Sequence, residues 1–148
     1  MKSILDQSTR DEVIERVNRL TENSTPQWGK MNIYQMLHHC VLCEQLYLGK
    51  IIVKRVFIGK IFGKMALKNM LKDETPIKPN SPTNAAFKVS ATSGDVYNER
   101  DKWISLIREY ENFSNNNFEH WFFGKMTKEQ VGYFVYKHTD HHLRQFNV

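Results

Sequence analysis

The stretch from Asn32 to Leu48 restricts the fold more than any other part of the chain. Asn32 is a good helix N-cap, Gln35 stands where a side chain reaches back to complete a capping box, and Gly49 is a natural stop. Between them Ile33, Met36, Leu37, Cys40, Val41, Leu42, Cys43, Leu46 and Tyr47 leave almost no polar face. A helix that is apolar nearly all round belongs inside a bundle of other helices. His38 and His39 lie within it, and imidazoles that cannot easily reach water need partners.

Other segments supply the surrounding helices. Ser8 or Thr9 can cap a helix from about Thr9 to Leu20, with Val13, Ile14, Val17 and Leu20 as its apolar stripe. A further helix runs from about Asp95 to Asn112 on Val96, Trp103, Ile104, Leu106, Ile107 and Tyr110. The last helix opens on a second capping box, Thr127 with Gln130. Residues 73–94 hold Pro76, Pro79 and Pro82 and read as one long extended connection. The expected fold is therefore all-α, a four-helix bundle with a long crossover, forming a single domain over residues 1–148. The aromatic run from Phe118 to Met126 is expected to pack over one end of it.

Residues 50–72 hold seven basic side chains and no acidic one. Lys60, Lys64, Lys68 and Lys72 recur every four residues, while Ile61, Phe62, Met65, Ala66, Met70 and Leu71 occupy the other side. One reading is a cationic amphipathic helix for a membrane or nucleic acid. The preferred reading is the solvated face of a bundle helix whose apolar side fills the core. Gly59 and Gly63 suggest a broken segment. The net charge of +5 is too small to imply a nucleic-acid partner, and no specific one is expected. No apolar run approaches a membrane span and the first residues lack a secretory pattern, so a cytoplasmic protein is the expectation.

Chemistry is concentrated near the C-terminal end of the chain. His138, His141 and His142 are three of six histidines. Val131, Val135, His138, His142 and Gln145 follow a four-three spacing, an inward seam that begins apolar and turns polar halfway. His138 and His142 sit one helical turn apart and can grip one divalent ion. A third ligand would come from His38 or His39, and periodicity does not choose between them. Three histidines without a carboxylate suit zinc, nickel or iron and leave a position for water. Cys40 and Cys43 match a Cys-x-x-Cys pattern, but in a helix interior with no second pair they read as buried structural thiols.

Four pieces in order resemble the DinB/YfiT-like superfamily: Trp28 to Met31, Gln35 to Cys40, His120 to Gly124, and His138 to Phe146. The resemblance covers nearly the whole chain and implies a four-helix bundle with a three-histidine metal site. Its pattern assigns the ligands to His39, His138 and His142 and makes His38 and His141 neighbours. Trp121 stands where the pattern usually has proline. By residue type, Glu44, Tyr136, Asp140 and Gln145 are candidates to support the ligands, and His120 is a candidate to overhang the site.

The resemblance implies metal-dependent hydrolases or thiol-dependent S-transferases of small molecules, with a low-molecular-weight thiol as a second cofactor. The transferase is preferred, because hydrolysis gains from a carboxylate base and no His-Glu-x-x-His motif is present. The alternative is a non-enzymatic metal-binding or stress-associated module. Helix faces of such bundles often pair, so a homodimer is also considered.

Overall fold

The computed structural model describes residues 1–148 and is all-α apart from one two-stranded hairpin. Its helices are α1 (Gln7–Asn18), α2 (Ile33–Tyr47), α3 (Phe57–Met70), α4 (Val96–Arg108) and α5 (Lys128–Gln145). The strands β1 (Glu119–His120) and β2 (Gly124–Lys125) are antiparallel. Helix α2 packs on α4 and α5, and α1 packs on the same two. Between them lie Met36, Leu37, Val13, Val17, Trp103, Ile107, Val131 and Val135, all fully buried. No helix is long and apolar enough to cross a membrane.

Local chemistry explains the helix boundaries. Both expected capping boxes form: Asn32 with Gln35, and Thr127 with Gln130. Gly49 ends α2 at φ +77, a left-handed conformation that favours glycine. Helix α1 begins earlier than its sequence suggests. Asp6 precedes it without a side-chain cap, and the Arg10 guanidinium instead donates to the Ile4 and Leu5 carbonyls. Asp95 caps α4 by accepting from the Asn98 amide, and a 3-10 turn over Glu109–Asn112 extends its end.

Helix α3 departs from expectation in two ways. It runs unbroken through Gly59 and Gly63, and Phe57, Ile58, Ile61, Phe62 and Met65 face outward, while Leu67 joins the core and Ala66 and Met70 pack against it. Its buried strip is Gly59, Gly63 and Leu67. The two glycines lie against the backbone of Phe122, where an added Cβ would overlap the carbonyl oxygen. The glycines are a docking surface, and they turn the bulky residues outward. Gly63→Ala is therefore expected to destabilise the protein by about 1–3 kcal/mol in urea titration, because the clash is with backbone and cannot be relieved by a rotamer change. Proteolysis should then begin within residues 50–72.

Residues 71–95 connect α3 to α4 and hold one 3-10 turn, Ala85–Phe87. The segment is tied down at several points. Lys137 of α5 is buried and donates to the carbonyls of Met70 (2.7 Å) and Asp73 (2.9 Å). Asn32, which caps α2, and Gln35 within it donate to the carbonyls of Thr92 and Val89. The connection is thus held against the end of the molecule where the histidines gather.

Candidate metal centre

The four-three seam on α5 is inward, as its spacing predicts. Val131, Val135, His142 and Gln145 are buried and His138 is half-buried. Across from it, the α2 helix presents His39. The ring centroids lie 4.8 Å apart for His138 and His142, 4.9 Å for His39 and His142, and 5.6 Å for His39 and His138. One nitrogen from each ring falls within 4.8 Å of the others, and no carboxylate or thiol belongs to the group. These three side chains could hold a metal ion.

Hydrogen bonding fixes which nitrogen is available. His39 Nδ1 lies 2.8 Å from the Phe87 carbonyl. A carbonyl only accepts, so Nδ1 carries the proton and Nε2 keeps its lone pair. His142 Nδ1 lies 2.9 Å from Gln145 Oε1, while Gln145 Nε2 donates to the Trp28 carbonyl at 2.9 Å. That second bond orients the amide, so His142 is also protonated on Nδ1 with Nε2 free. Outward-donating Nδ1 groups of this kind orient metal-binding imidazoles. Burial pushes the pKa of His39, His138 and His142 down, and for His138 and His142 the neighbouring imidazoles push further. All three are held neutral near pH 7, the form that binds metals.

Donor type, tautomer and burial therefore fit a divalent ion. A tetrahedral ion asks for nitrogens about 3.4 Å apart, and the three nitrogens lie within 4.8 Å of one another. His138 has Tyr47 on one side at 5.8 Å and Phe134 on another at 6.1 Å between ring centroids. These rings fix its position without offering it a hydrogen bond.

The other candidates divide clearly. His38 points to α4, where its Nδ1 lies 2.8 Å from Glu99. His141 donates from Nδ1 to the Ile77 carbonyl at 3.1 Å and so pins the α3–α4 connection to α5. Gln145 holds His142, and Gly29 at φ +83 lies close enough to Gln145 Nε2 that a Cβ would crowd it. His120 is buried in the hairpin, where its Nδ1 accepts from the Phe122 and Phe123 amides. Burial pushes its pKa down to about 3. It packs 5.3 Å from Phe134 in the aromatic wall and is not one of the three grouped imidazoles.

Glu44, Tyr136 and Asp140 are not placed as supports of the ligands. Glu44 takes the Tyr110 hydroxyl at 2.5 Å, with Trp103 Nε1 and Thr139 Oγ1 each at 3.4 Å. It touches none of the three imidazoles. Tyr136 lies under the Lys2 ammonium and Asp140 pairs with Arg16 at 2.8 Å, both on the α1 side of α5. Their helical phase, one and two residues from the seam, carries them away from it.

Two features escaped the sequence reading. Backbone carbonyls at Phe87 and Ile77 orient His39 and His141, and a carbonyl leaves no signature in residue type. Cys43 Sγ lies 3.6 Å from His39 Nε2. Its i, i+4 relation to His39 was the available signal, hidden behind the Cys-x-x-Cys pattern. Both cysteines are free and buried, and burial pushes both thiols up in pKa, as expected of structural thiols.

No curated protein matches the chain, and no solved structure does. The sequence does match a family model, that of the DinB superfamily, over residues 6–146. The helical architecture agrees with that match, and the chain belongs to the DinB superfamily.

Proposed function

We propose that this protein is a metal-dependent enzyme acting on small molecules, with His39, His138 and His142 as the ligands of one zinc, nickel or iron ion. In this reading α1, α2, α4 and α5 form the family's four-helix bundle and residues 71–95 are its crossover. The supporting observation is the convergence of three neutral imidazoles, two of them locked with Nδ1–H outward. A divalent ion bound there would acidify a coordinated water or thiol. The chain's own groups set the rest. The Phe87 carbonyl and Gln145 hold two rings in the lone-pair-inward tautomer, and Tyr47 and Phe134 wall His138.

Thiol-dependent S-transfer is favoured over hydrolysis. No carboxylate belongs to the cluster to serve as a base for water, and Glu44 is already engaged by three donors. A second reading is a non-enzymatic metal-binding module. Membership of the superfamily and a three-imidazole group support it, since both speak to metal binding and neither to turnover.

Tag-free protein loaded with each metal and supplied with a generic electrophile and several small thiols separates the two. Thiol conjugation that disappears with chelator and in His142→Ala is the expected result. Stoichiometric metal with no turnover of any thiol, or of hydrolysable esters and amides, would assign the binding module instead.

A further inference from the structure

Six of the chain's eight exposed large hydrophobic residues come from one short segment, Ile52 to Met65. Ile52 is 94% exposed, Phe57 77%, Ile58 58%, Ile61 59%, Phe62 47% and Met65 59%. Five of them lie on α3, which meets the body through its glycine strip. The helix is therefore firmly seated while its apolar residues face out. A contiguous apolar face on a seated helix marks an interaction site.

Charge identifies the partner. Lys60, Lys64 and Lys68 are exposed at intervals of four along one edge of this face, and none forms an ion pair. No acidic residue occurs between positions 50 and 72. A second copy meeting the same face would bring a second row of lysines and, from residues 50–72, no carboxylate to pair with either row. Nucleic acid would satisfy the lysines but leave the apolar side chains in water. An anionic bilayer satisfies both, with apolar side chains among the acyl chains and ammonium groups at the headgroups. At 14 residues α3 is about 21 Å long, suited to lying in the interface and too short to span it.

We propose that α3 is an in-plane anchor that docks the protein reversibly on an anionic phospholipid surface. The seating of Gly59 and Gly63 on Phe122 presents the anchor already folded, so binding does not require a disordered segment to become helical.

Co-sedimentation of the full chain with vesicles tests this. Vesicles of phosphatidylcholine alone are compared with vesicles containing roughly 30% phosphatidylglycerol. The expected result is binding at least about tenfold tighter to the anionic vesicles, weakened about tenfold when salt rises from roughly 0.1 to 0.5 M. The triple variant Lys60→Glu, Lys64→Glu, Lys68→Glu should lose this binding. The double variant Ile61→Ser, Met65→Ser should weaken it by about tenfold, since insertion scales with apolar area. All positions changed are exposed, so circular dichroism and metal content should match the parent. Three results overturn the proposal: no anionic-vesicle binding at low salt; a dimer in sedimentation velocity that Ile61→Ser, Met65→Ser dissociates; or duplex-DNA binding stronger than vesicle binding and indifferent to the serine variant.

Discussion

Replacing His142 by alanine is expected to weaken divalent-metal binding by on the order of 100-fold or more, with His39→Ala and His138→Ala doing the same. Residues that merely orient a ligand cost about 10–100-fold, and a ligand itself lies above that range. His142 faces both other rings, at 4.8 and 4.9 Å. Its loss would leave a nitrogen pair across two helices in place of a three-sided grip. His38→Ala and His141→Ala should bind metal within a few-fold of the parent, because those rings contact Glu99 and the Ile77 carbonyl instead. Calorimetric zinc titration of tag-free, chelator-stripped protein reads the comparison directly. If His38→Ala lost the metal while His39→Ala kept it, the assignment of the α2 ligand would be refuted.

The second large effect concerns Glu44. Burial pushes its carboxyl from 4.5 up to about 7, against hydrogen bonds from Tyr110, Trp103 and Thr139 that pull the other way. A carboxyl whose folded pKa is raised binds more protons when folded than when unfolded between those two values. Its contribution to stability is therefore complete below about pH 4.5 and falls as pH rises to about 7. The loss is about 3 kcal/mol, from 1.36 kcal/mol per pKa unit. The imidazoles of His39, His138 and His142 act oppositely, since their lowered pKa values make the fold gain stability as pH rises toward 6.5. The difference between parent and Glu44→Gln isolates the carboxyl. Urea titrations at several pH values should show Glu44→Gln gaining on the parent from pH 5 to 8 by about that amount. A constant difference across the range would show that Glu44 stays ionised in the fold.

What the sequence revealed follows from what side chains alone determine. Helix starts were legible where a cap and its partner are both side chains, as at Asn32 with Gln35 and Thr127 with Gln130. The seam on α5 was legible because five residues hold one phase for four turns. His39 and His38 could not be separated by phase, since α2 is apolar on every side. The structure places His39 beside the α5 pair and His38 against Glu99.

Other features were misread for identifiable reasons. Helix propensity alone makes Gly59 and Gly63 breaks, and propensity takes no account of a bare backbone strip being what another backbone packs against. The outward turn of Ile61, Phe62 and Met65 follows from that packing, and the expectation that the apolar side of α3 fills the core holds only for its C-terminal end, where Ala66, Leu67, Met70 and Leu71 reach the core. Lys137 lies inside the molecule because two carbonyls receive its ammonium group, and no sequence pattern announces them.

The Phe87 and Ile77 contacts to the histidines are made by main-chain oxygen. Any L-amino acid carries that atom, so residue identity at position 77 is under little pressure from the contact itself, and position 87 answers mainly to packing. Length is another matter: inserting or deleting a residue between 77 and 87 would shift one oxygen relative to the other, against two histidines held by different helices. Relatives of this protein should consequently drift in letters along this segment far more freely than they drift in length.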